Sequence, residues 1–113
     1  MAAIPINFKI ERGVDFYASL TLNNEYNQPV NLNSYSVVAK YSNSYVSSTK
    51  YDFIVNVINA TEGIIEIKLN STQTSALKLP RYVYDIVITS PLNTGGIKSR
   101  VVQGILEISP GIS

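Results

Sequence analysis

RYVYDIVIT, residues Arg81 to Thr89, is the stretch that decides the fold. β-Branched and aromatic residues follow one another almost without interruption, and they alternate strictly. Tyr82, Tyr84, Ile86 and Ile88 share one parity; Val83, Asp85 and Val87 share the other. A period of two puts each set on one face of a sheet. The uncharged row with two tyrosines is the one to bury, and the row carrying Asp85 is the wetter one. The stretch therefore reads as the central strand of a two-layered β domain.

Working outward, the same period recurs on both sides. Ile6, Phe8 and Ile10 alternate with Asn7 and Lys9, and Phe16, Ala18, Leu20 and Leu22 alternate with Tyr17, Ser19 and Thr21. Between those strands Glu11-Arg12-Gly13 makes a turn, and after them Val30 and Leu32 point inward as the chain crosses over. Tyr35, Val37, Ala39 and Tyr41 line a third strand. Phe53, Val55 and Val57 line a fourth, and Ile65, Ile67 and Leu69 a fifth. Residues 70–77 break the pattern: Asn70 and Gln73 have the spacing of a capping box, which predicts one helical turn ended by Pro80. Ser90 to Gly96 is a hairpin loop, and Ile97 to Ile108 a long last strand in which Gly104 marks a bulge or a close backbone approach. Met1 to Pro5 reads as a loose apolar arm, and residues 109–113 as a fraying tail.

These elements predict a single all-β domain over residues 1–113: an antiparallel, immunoglobulin-like β-sandwich of about seven strands, with one short helical turn at 70–77. In such sandwiches a tyrosine at the corner entering the penultimate strand bonds back to upstream backbone. Tyr82 stands at that place as the structural corner; the alternative is that it only packs.

Composition narrows the function. The chain has 113 residues, 45% of them hydrophobic, and a formal net charge of +1. That is one domain's length, with no basic field to attract nucleic acid or anionic lipid. No apolar run reaches the ~20 residues of a membrane helix, and the start does not read as a signal peptide. Histidine and cysteine are both missing, which removes Ser-His-Asp and Cys-His nucleophiles, the usual zinc sites and thiol redox chemistry. The acids Glu11, Asp15, Glu25, Asp52, Glu62, Glu66, Asp85 and Glu107 are scattered singly, without the pairing a glycosidase needs. Asp85, inside the central strand, is expected to meet Lys98 or Arg100 across the sheet. Gly95-Gly96 is a hairpin turn, with no Walker lysine behind it. The Asn59 and Asn70 matches to the glycosylation pattern are chance in an Asn-rich chain. No cofactor and no metal are expected, and the chain reads as non-enzymatic.

One segment has a recognition flavour. Tyr41, Tyr45 and Tyr51 are interleaved with Ser and Asn, a combination that supplies amphipathic contact area at low entropic cost. The alternative is a polar loop at a strand edge. The apolar arm residues Ile4, Pro5 and Ile6 are the other protein-contact candidates.

Five pieces taken together carry a resemblance: FKIERGVDF (Phe8–Phe16), PVNLNSYSVVAKY (Pro29–Tyr41), GIIEIKLNSTQTSAL (Gly63–Leu77), RYVYDIVIT and RVVQGILEISPGIS (Arg100–Ser113). In this order the chain resembles small virion-associated proteins of tailed bacteriophages, including myophages of cyanobacteria. It is similar, more loosely, to the N-terminal domains of phage baseplate upper proteins. The resemblance implies a structural β-sandwich, assembled in the host cytoplasm into the virion. Its partners would be other virion proteins of the tail or baseplate, and a symmetric homo-oligomer is compatible with it. The chain lacks the C-terminal extension, helical linker or fibre segment of longer baseplate relatives, so decoration of the capsid is the alternative. A carbohydrate-binding module contacting the host surface is the alternative of another class.

Overall fold

The computed structural model describes residues 4–23, 26, 28–91 and 95–110. The expectations placed on Met1 to Ala3, on Glu25 and on Gly111 to Ser113 lie outside the described residues. So does the middle of the Ser90–Gly96 loop.

Among the described residues, nine strands and one helical turn follow in order. They are β1 (Ile4–Pro5), β2 (Phe8–Glu11), β3 (Phe16–Thr21), β4 (Ser36–Ser42), β5 (Tyr51–Asp52), β6 (Ile54–Asn59) and β7 (Ile64–Leu69), then α1 (Ser71–Ser75), β8 (Arg81–Thr89) and β9 (Lys98–Ser109). One sheet runs β1-β9-β8-β4-β5, with β2 also on β9; the other runs β3-β7-β6. All pairs are antiparallel except β1 and β2, which lie parallel to β9. The result is the expected immunoglobulin-like sandwich, with β8 central in the larger sheet and β7 central in the smaller.

β8 follows its sequence parity. Tyr82, Tyr84, Ile86 and Ile88 are buried, whereas Val83, Asp85 and Val87 are half-exposed. Opposite them Ile65, Ile67 and Leu69 close the core from the other sheet. The aromatic rings form a continuous run through it: Phe16 against Phe8, Phe8 against Tyr84, Tyr84 against Phe53, and Phe53 against Tyr41, at centroid distances of 5.0–6.0 Å. Phe53 also marks where the chain changes sheets. Tyr51 and Asp52 pair with β4, the Phe53 N–H donates to the Ala39 carbonyl, and Ile54 begins β6 in the other layer.

The helical turn is capped as the sequence implies. The Asn70 side chain accepts from the Gln73 N–H at 2.8 Å, and the Gln73 side chain accepts from the Asn70 N–H at 2.9 Å. Thr74 is fully buried; its hydroxyl accepts from the Gly13 N–H and donates to the Val14 carbonyl. Arg12 Nε donates to the Leu77 carbonyl at 2.7 Å. The turn is thereby tied to the β2–β3 connection. Tyr82 takes the corner role: its hydroxyl oxygen accepts from the Lys78 and Leu79 N–H groups at 3.2 and 3.4 Å.

Two features depart from the sequence reading, and a third bears it out. Ile4 and Pro5 are not a loose arm, because they pair with Val102 and Gln103 as β1. The last strand carries a bulge between its Ile86–Val102 and Val87–Arg100 pairs. The extra residue lets Val101 and Val102 both turn inward, where a strict period would have exposed one of them. Gly104, in contrast, is the site of close approach. A Cβ there would stand 1.9 Å from the Ile6 carbonyl oxygen. That oxygen fills the inward place a side chain would occupy, and the Tyr84 hydroxyl donates to it.

Two substitutions test these contacts. Tyr82→Phe leaves the Lys78 and Leu79 amides without that acceptor and should lower stability by roughly 0.5–1.5 kcal/mol in denaturant unfolding. Gly104→Ala forces β1 and β2 off β9 or strains them in place, at a cost of roughly 1–3 kcal/mol by the same measurement.

Candidate functional site

The Tyr-rich segment is built by β4, β5 and the loop between them. Ser42, buried at the end of β4, donates its hydroxyl to the Thr49 carbonyl at 2.7 Å and so closes the loop base. Within the loop the Ser47 N–H donates to the Ser44 carbonyl, and Lys50 Nζ to the Ser47 carbonyl. The loop folds back over the outer face of the larger sheet. There the Tyr45 hydroxyl lies between the Tyr84 and Gly104 carbonyl oxygens, at 3.4 and 3.3 Å. Val46, at the outer end of the loop, is 94% exposed.

The three tyrosines end up in different places. Tyr41 is only 6% exposed and belongs to the core, where its ring meets Phe53 and Tyr82. It contributes no free contact area, as its shared parity with Val37 and Ala39 dictates. Tyr51 is half-exposed and stacks on Tyr41 at 5.3 Å, so its outer face is presented on a rigid base. Tyr45 is likewise half-exposed, anchored by its hydroxyl with the ring edge open. Of the other candidates, Ile4 and Pro5 remain exposed on β1, while Ile6 is half-buried and bonded to β9 through its N–H and the Gln103 carbonyl.

Beneath the loop lies a groove of about 590 Å³, lined among others by Lys40, Tyr45, Lys50, Asp85, Arg100 and Gln103. Arg100 Nε contacts Asp85 Oδ2 at 3.0 Å, the cross-strand pairing expected of Asp85. Lys40 Nζ contacts Asp52 Oδ1 at 2.9 Å. Both pairs are solvent-accessible and hold side chains in place more than they stabilise the fold. Of the three cations lining the groove, Arg100 is paired with Asp85 and Lys40 with Asp52, and Lys50 is the third. The sequence reading missed this groove. The outward parity of Lys40 and Asp85 was visible, but the loop that turns their flat face into a concavity depends on contacts distant in sequence.

Among the described residues, no group of three or more acidic residues is placed to hold a metal ion. No helix there is long and apolar enough to cross a membrane. No protein-family model matches the chain, and no curated protein sequence matches it.

Burial pushes the phenol of Tyr84 well above its usual range, with Tyr45 adding to the effect. Burial also raises Tyr41, helped by Tyr82, Tyr51 and Asp52. In the unfolded chain both ionise near pH 10, so above that pH the unfolded state binds fewer protons than the folded one and stability falls. The stabilising contribution is complete below about pH 10 and is lost as pH rises through the folded values. Denaturant unfolding followed through this range should show the decline, and Tyr84→Phe should make it shallower.

Proposed function

We propose that the protein is a non-enzymatic structural component of a tailed-bacteriophage virion, docking through protein–protein contacts at the tail, baseplate or fibre base. The observation that carries this reading is the loop between β4 and β5. Half-exposed Tyr45, anchored by its hydroxyl, and almost fully exposed Val46 sit on this loop, and the loop runs into β5, where half-exposed Tyr51 stacks on Tyr41. Pre-ordered aromatic area of this kind is what contact surfaces use, because little conformational freedom is lost on binding. The virion itself is supplied by the resemblance of the segments between Phe8 and Ser113 to small virion-associated phage proteins. Capsid decoration uses the same surface at another location.

A second reading rests on the groove. Asp85, Arg100, Gln103 and Lys40 converge on a concavity beside Tyr45, an arrangement suited to the hydroxyl groups of a host-surface glycan. Titration with a glycan array separates the two readings: saturable binding lost in Arg100→Ala favours the carbohydrate module.

Antibody labelling of purified virions, viewed by electron microscopy, tests the main reading. Label at the tail end is the expected result, and label over the head gives the decoration role. Accessible particles that carry no label overturn the virion assignment. Val46→Asp, at a side chain almost fully exposed, should lower incorporation into particles while leaving the unfolding midpoint unchanged.

A further inference from the structure

The smaller sheet ends in β6, whose outer edge pairs with no strand among the described residues. Unpaired edges invite pairing with another chain, and proteins blunt them with charge, proline, brevity or a cover. The larger sheet does so. β1 contains Pro5, β2 carries Lys9 and Glu11, and β5 is two residues long with Asp52 in it. On the far edge of the smaller sheet, the outward row of β3 is polar: Tyr17, Ser19 and Thr21.

Of the devices that blunt an edge, β6 has only a bulge, between Val57 and Asn59 at its end. It reads Ile54-Val55-Asn56-Val57-Ile58-Asn59, with no charge and no proline. Ile54, Val57 and Ile58 are 37, 47 and 58% exposed, respectively. Val57 shares the inward parity of Val55, opposite the buried Ile65, and yet is half open to solvent. The sandwich is therefore uncovered at this corner. The strand is also its own complement. Ile54-Val55-Asn56-Val57-Ile58 reads the same in both directions about Asn56.

We propose that β6 pairs antiparallel with β6 of a second copy, across a twofold axis at Asn56. A twofold interface uses the same patch on both subunits, so the segment must match its own reverse. In this register Asn56 meets Asn56, Val55 meets Val57, and Ile54 meets Ile58 of the other copy. Both Val57 side chains are then covered. Apolar residues sit on apolar residues, with no charge brought against a like charge. The Ile58 bulge, where β6 slips against β7 between Val57 and Asn59, falls at the end of the paired run and limits its length. The two three-stranded sheets become one sheet of six. This pairing does not depend on where the protein works, so it stands or falls separately from the virion reading.

The chain has no cysteine, so a single engineered thiol reports the register cleanly. Directly opposed residues of antiparallel strands lie about 4.5–5.5 Å apart at Cα, within disulfide reach. Asn56→Cys should form a covalent dimer under mild oxidation much faster than Thr21→Cys, an exposed control on β3. Sedimentation velocity over a concentration series should show the unmodified protein shifting to dimer. Ile54→Lys with Ile58→Lys should remain folded and monomeric, with an unfolding midpoint that does not depend on protein concentration. Equal cross-linking rates for the two thiols, or an unmodified protein that stays monomeric up to millimolar concentration, would overturn the proposal.

Discussion

The larger sheet depends on the absence of a side chain at Gly104. Because nothing projects inward there, the Ile6 carbonyl enters the space and receives the Tyr84 hydroxyl. On either side of that point the Ile6 N–H donates to Gln103, and the Asn7 side chain accepts from the Ile105 N–H at 2.9 Å. β1 and β2 thus remain in one register along β9 although the ladder is interrupted between them. A buried carbonyl without a donor would be costly. Tyr84 removes that cost and is itself held by Phe8 and Phe53.

This lock connects the core to the candidate site. The carbonyls of Tyr84 and Gly104, a facing pair in β8 and β9, also lie against the Tyr45 hydroxyl on the outer face. One pair of residues therefore holds the first strands on its inner side and the β4–β5 loop on its outer side. The groove, its cation-rich lining and the exposed Val46 are placed by the same part of the sheet. The first strands, being used inside the fold, are a poorer choice for reaching a neighbour than the loop or the β6 edge.

Much of this was legible from local pattern. The parity of Arg81–Thr89 identified the buried row because alternation and burial share one period in a strand. Asn70 with Gln73 announced the capped turn, Tyr82 its corner, and Gly104 a close approach. What escaped had non-local causes. β1 and β5 are two residues each, too short for any period, and exist because β9 and β4 offer edges to pair with. Val101 turns inward through a bulge that no alternation predicts. Tyr41 looked like part of a contact surface because of its Ser and Asn neighbours, although its own parity already assigned it to the core. The groove required the loop to fold over β8 and β9, strands far along the chain.

Amide hydrogen exchange, followed residue by residue by NMR, tests the central claim most directly. If Gly104, Ile6 and Tyr84 bind the first strands into the fold, the Ile6 and Ile105 amides exchange far more slowly than unstructured peptide and lose protection together with β8. Exchange of both at unstructured rates while β8 stays protected would contradict it. The N-terminal segment would then be free to leave its own sheet.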